Sequence, residues 1–212
     1  PEPSEGKRWL NIVRDSRLHY GFPMYLLGNF VGGAGFSLFF GGSWLDCICG
    51  GICGLIIGLV SHFLEKMKAN PFFRTIAAAF VMALAAYLMG SFGICHNVDT
   101  VIIGALMILV PGLLFTNAMR DIIYGDTTSG VNRIVQVFLT AVALALGTAA
   151  AWGVVTNLFG TPADAVVISY NMLLQCLVCF FGCMGFVILF NIHGPGGILC
   201  ALGGASTWFV YL

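Results

Sequence analysis

Apolar residues run in long blocks along this chain, and charged residues fall almost entirely in the gaps between them. Spanning about 30 Å of hydrocarbon takes roughly 20 apolar residues in a helix. Seven blocks come near that length, at 24–40, 45–64, 72–92, 100–119, 134–156, 172–192 and 196–212. The pattern predicts an all-α polytopic transmembrane bundle of about seven spans. The fourth block is interrupted at Pro111-Gly112. Proline removes one donor from the helix ladder and leaves the carbonyl near Met107 without its usual partner. In hydrocarbon such a break survives only where protein or a water-filled cavity satisfies it. The fourth helix is therefore expected to be broken, either as a plain structural kink or as the lining of a solute path.

Small residues mark where helices touch. Gly50, Gly54 and Gly58 repeat every fourth position in the second block, and Ala141, Ala145, Ala149 and Gly153 do so in the fifth. Both stripes read as helix-packing surfaces. Gly32, Gly33, Gly35, Gly41 and Gly42 are denser than packing requires, which suggests close approach of a ligand or an unwound backbone.

Composition settles the class. Of 212 residues, 59% are hydrophobic and 8% charged, with 28 glycines and 18 phenylalanines. Soluble domains carry about 25% charge. The balanced net charge points away from nucleic acid, and the partners expected are the lipid bilayer and a small polar metabolite. Residues 1–20 are polar and have no apolar core before a cleavage site, so no signal peptide is read there. The missing initial Met and the apolar last residues read as a piece of a longer protein. All nine basic residues (Lys7, Arg8, Arg14, Arg17, Lys66, Lys68, Arg74, Arg120 and Arg133) fall on alternate connections, hence on one side. The positive-inside rule makes that side cytoplasmic, with Asp99 and Asp164 outside, as in a bacterial inner membrane.

The polar residues at span ends are the candidates for chemistry. Asp46 opens the second span, either as a helix cap or as a protonatable group on an export path. Arg120 and Asp121 close the fourth span. They point about 100° apart and need not pair with each other, so Asp126, Arg133 or a bound zwitterion are open as partners. Asp126, Thr128 and Ser129 are N-cap candidates for the fifth span. Asn117 is the polar residue of the fourth span expected to face the bundle interior. Cys176, Cys179 and Cys183 share a helix face without carboxylate or imidazole, and Cys47, Cys49 and Cys53 are similar, so both groups read as packing. His19, His62, His96 and His193 are scattered and give no metal-ligand spacing. No cofactor, metal or hydrolase motif is read, and an enzyme is the least favoured class.

These residues carry a resemblance. Phe39-Phe40-Gly41-Gly42-Ser43-Trp44-Leu45-Asp46, then Asn70-Pro71-Phe72-Phe73, then the order Pro111-Gly112, Asn117, Arg120-Asp121, Gly125-Asp126, Ser129-Gly130 and Arg133 are similar to the threonine/serine exporter (ThrE-like) family. The resemblance covers roughly residues 20–155, with the segment from about Leu173 similar to the start of the family's second half. It implies a division into the end of a cytoplasmic region (1–20), a five-helix half (21–156) and the first two helices of a second half (157–212). It implies proton-driven export of small hydrophilic amino acids. Split-pair relatives imply dicarboxylate export instead, and a non-transporting assembly subunit that needs a partner chain is the third expectation. The protein partner expected is a second copy of the chain, as a homo-oligomer, or a chain completing the second half. Gly41, Gly42, Asp46, Pro111, Gly112, Asn117, Arg120, Asp121, Asp126 and Ser129 match the signature positions. The roles expected are a path lined by the Pro111-Gly112 break, Arg120 and Asp121 meeting the solute's carboxylate and ammonium, and Asp46 coupling the proton.

Overall fold

The computed structural model describes residues 20–160 and 168–211. The basic residues before position 20, along with His19, Asp164 and Leu212, lie outside the described residues. The described residues fold into eight α-helices: α1 Phe22–Phe39, α2 Trp44–Lys66, α3 Pro71–Ser91, α4 Val98–Leu106, α5 Gly112–Ile123, α6 Thr127–Phe159, α7 Met172–Leu189 and α8 Pro195–Tyr211. Five of these, α1, α2, α3, α6 and α7, are long and apolar enough to cross a membrane. The fourth span is broken as expected, into two short helices, α4 and α5. The fifth span is longer than its apolar block. At 33 residues, or about 50 Å, α6 begins in the polar Thr-Thr-Ser-Gly run because Asp126 caps it there.

Successive helices alternate in direction, except that α4 and α5 run the same way as two halves of one span. This brings Lys66, Arg74, Arg120 and Arg133 to one end, here called the basic end. The opposite end gathers Gly41, Asp46 and Asn97. Contacts between elements hold the order: Phe92 meets Phe159 at the far end, and Tyr20 stacks on His193 at 4.2 Å at the basic end. The short α4 sits centrally against α1, α2 and α3. On one flank α6 packs on α3 and carries α5, while on the other α7 packs on α1 and carries α8.

Glycine makes that centre possible. A Cβ on Gly54 would strike the Asn29 carbonyl, one on Gly33 the Gly50 carbonyl, and one on Gly104 the backbone of Ser37. The second-block stripe therefore is a packing surface. The dense glycines of α1 are packing residues as well, which corrects the ligand-approach reading for that helix: Gly33 meets α2, and an added Cβ on Gly35 would lie 2.7 Å from Gly182 of α7. The fifth-block stripe is also corrected. Ala143, Gly147, Ala151 and Val155 face inward on α6, whereas Ala141, Ala145 and Ala149 are exposed and a Cβ on Gly153 would meet nothing. The two sets lie on different faces of one helix, and four-residue spacing alone does not say which face is covered.

Candidate functional site

The break lies between α4 and α5. Because Pro111 has no N–H and disfavours helix at Val110, the chain tightens before it leaves the helix. Ile108 N donates to Ala105 O at 3.1 Å and Leu109 N to Leu106 O at 2.8 Å. Pro111 then stands at the N-cap of α5 without a side-chain cap. The carbonyls of Met107, Ile108 and Leu109 accept no hydrogen bond among the described residues, and the N–H groups of Leu113 and Leu114 find no acceptor there. The break thus presents a carbonyl end and an N–H end within a few residues of each other. Half-helix dipoles reinforce both signs.

α4 stays in the core, but α5 leans onto α6. Between α5, α6 and the start of α3 lies a cavity of about 690 Å³, lined by Asn70, Thr75, Leu114, Gln136 and Thr140 together with apolar neighbours. A Cβ on Gly112 would meet no atom within 4 Å, and its φ is not positive. Neither packing nor backbone geometry demands a glycine there. Its consequence is an uncovered backbone at the mouth of α5.

At the basic end, Asp121 pairs with Arg133 at 3.1 Å and accepts from Ser129 Oγ at 3.3 Å. The pair ties the end of α5 to the start of α6. Asp126 caps α6 by accepting from Ser129 N at 3.2 Å. Thr128 and Ser129 lie inside the first turn rather than at the cap. Arg120 has no ion-pair partner among the described residues and borders a cavity of about 380 Å³ with Asp121, Tyr124 and Asp126. Arg120 and Asp121 are therefore differently engaged. Asn117 is half-buried and makes no side-chain hydrogen bond among the described residues.

The far end is a closed knot. Asp46 is 1% exposed. Its Oδ2 accepts from Ser43 N at 2.8 Å, while Ser43 Oγ accepts from Asp46 N, a reciprocal capping box. Its Oδ1 accepts from His96 N at 2.8 Å and Asn97 N at 3.2 Å, clamping the α3–α4 connection onto α2. Gly41 carries φ 90, which only glycine adopts without strain. Over it lies the segment before α7, with Ile168 N donating to Gly41 O at 2.8 Å and Tyr170 Oη to Gly42 O at 2.8 Å. Burial, with the Asp46 charge adding to it, pushes the Tyr170 hydroxyl above its ordinary range. Burial pushes the Cys95 thiol up to about 12.

Two buried residues escaped the sequence reading. Asn29 Oδ1 and Asn97 Nδ2 are buried side-chain atoms without a hydrogen-bond partner among the described residues. Asn97 falls in a gap between two apolar blocks, and Asn29 is one polar position inside the first block. A lone asparagine inside a predicted span was the available signal for Asn29.

A multi-pass helix bundle with a discontinuous helix at its centre and a cavity beside the break is the architecture of a membrane transporter. The chain belongs to the threonine/serine exporter (ThrE) family, whose family model matches residues 1–155. It is 26% identical over 141 residues to the threonine/serine exporter of Corynebacterium glutamicum, covering 65% of this chain and 29% of that protein. It is 25% identical over 119 residues to a probable threonine/serine exporter of Mycobacterium tuberculosis, covering 52% of this chain and 22% of that protein. The chain thus spans less than a third of the length of these relatives. No solved structure matches it.

Proposed function

We propose that this chain forms the translocating part of a secondary exporter of small polar amino acids, threonine and serine first, in a bacterial cytoplasmic membrane with the basic end inside. The names of its relatives support the substrate class. The observation that carries the reading is the break itself. The free N–H groups of Leu113 and Leu114 suit a carboxylate, the free carbonyls of Met107 to Leu109 suit an ammonium, and Leu114 borders the cavity between α3, α5 and α6. A zwitterion complements both ends at once. The solute enters from the basic end past Arg120, while the Asp46 knot closes the far end.

The proton gradient drives export in this reading. Asp46 keeps the far end shut, since its carboxylate already serves three backbone N–H groups. The test is efflux of labelled threonine and serine from cells expressing the intact gene, with and without an uncoupler. Uncoupler-sensitive efflux supports the reading, and efflux of neither from cells with the protein in the membrane overturns it. Dicarboxylate export is the second reading. It is favoured by the charge of Arg120, which has no ion-pair partner among the described residues, and efflux of succinate alone would select it.

A further inference from the structure

Asn29 sits in the middle of α1 and is 0% exposed. Its Nδ2 donates to Tyr25 O at 2.8 Å, but its Oδ1 has no partner among the described residues. An unpaired acceptor in a membrane interior is expensive and calls for a donor or a cation. Its surroundings are specific. The amide lies 3.0 Å from where a Cβ of Gly58 would be. One turn away, the Gly54 position is shared by the Asn29 backbone and by Ile108 Cδ1, at 3.2 Å. Ile108 belongs to the break. From Ile108 the chain runs toward the basic end, the same direction that leads from Gly54 to Gly58. Carbonyls at the C-terminus of a helix point along that direction. The unpaired carbonyls of Met107, Ile108 and Leu109 therefore face the level at which the Asn29 amide lies.

We propose that Asn29 Oδ1 and the carbonyls of the α4 end form one site for a small dehydrated cationic group, either the ammonium of the transported amino acid or a free sodium ion. All four oxygens are neutral, and neutral oxygens around the negative end of a half-helix replace the hydration shell of a monovalent cation. The ammonium version rests on the exporter reading above. The sodium version does not.

The test is thermal melting of the purified full-length protein in detergent at constant ionic strength. Sodium chloride is exchanged for choline chloride, and threonine or 3-hydroxybutyrate is added in choline. The latter keeps the carboxylate and hydroxyl of threonine and lacks its ammonium. Stabilisation by threonine but not by 3-hydroxybutyrate assigns the ammonium, and stabilisation by sodium without threonine assigns the ion. Asn29→Leu, similar in volume, should weaken the effective ligand by about tenfold while raising the melting point without ligand. Asn29→Asp keeps the acceptor and should retain or strengthen binding, which separates loss of the oxygen from misfolding. An undiminished shift in Asn29→Leu, or no shift with either probe in the parent, overturns the site. Amino-acid efflux with an unchanged KM in Asn29→Leu discards the site and keeps the exporter. An Asn29-dependent sodium shift without efflux keeps the site and discards the exporter.

Discussion

Asp121 and Arg133 meet at 3.1 Å across the turn between α5 and α6, with Asp121 the more buried partner at 17% side-chain exposure against 39%. The Asp121 carboxylate is therefore engaged before any solute arrives, and it sets how the half-helix α5 leans on α6. The pair contributes about 1 kcal/mol or less to stability, because Arg133 is partly solvated. Its larger effect is on the orientation of α5. Asp121→Arg or Arg133→Asp alone should lower threonine efflux about tenfold, equivalent to ~1.4 kcal/mol. The double reversal should recover most of it, since the pair would re-form with its signs exchanged. Failure of the double variant, with normal membrane levels, would mean that the Asp121 charge meets the solute directly.

Asp46 makes the opposite kind of contribution. Three backbone N–H groups on two connections converge on one buried carboxylate. Asp46→Ala removes a helix cap and leaves those donors unpaired, so it should cost about 2–4 kcal/mol. Asp46→Asn keeps one acceptor oxygen and should cost less. Thermal melting of the purified variants checks the order Ala worse than Asn. Equal and small losses would show that the knot does not hold the far end.

Cys95 reports on the same knot. Burial raises its thiol to about 12, with Cys49 and Asp46 adding to the rise, so little thiolate exists at neutral pH. A variant keeping only Cys95 should react with maleimide at pH 7.5 about a thousandfold more slowly than a thiol at its usual value. The rate should climb as pH rises toward 12. Adding Asp46→Ala should speed labelling by letting the α3–α4 connection lift. Fast labelling of the parent would show that the far end opens readily.

Much of this arrangement could be read from the sequence, and the exceptions share a cause. The Pro111-Gly112 break is written in local covalent chemistry, because a proline nitrogen has no hydrogen to give wherever it stands. The capping geometry of Asp46 and Asp126 is local in the same way, lying within one turn of each residue. The partner of Asp121 was left open because it lies twelve positions along the chain, and only the angle between α5 and α6 brings it near. The inward face of α6 was misjudged because Ala141 and Ala143 are equally small. What distinguishes them is where α3 lies, a tertiary fact. Asn29 needed three separate segments, from α1, α2 and the break, before its unpaired oxygen meant anything.

Two glycines beside the break give the sharpest contrast. Gly104 is pinned: an added Cβ would collide with the backbone N and Oγ of Ser37, in a seam where α1 cannot retreat without disturbing α2. Gly104→Ala should cost about 1–3 kcal/mol of stability, typical of overpacking. Gly112 is free, with no atom within 4 Å of an added Cβ and no positive φ. Gly112→Ala should leave the melting point unchanged or slightly raised, because alanine favours helix by up to about 1 kcal/mol over glycine. If the exposed backbone at the start of α5 receives the solute carboxylate, Gly112→Val or Gly112→Leu should still fold but raise the KM for threonine efflux, with little change in the amount of protein in the membrane. Wild-type efflux from the bulky Gly112 variants would show that the solute does not approach α5 from that side.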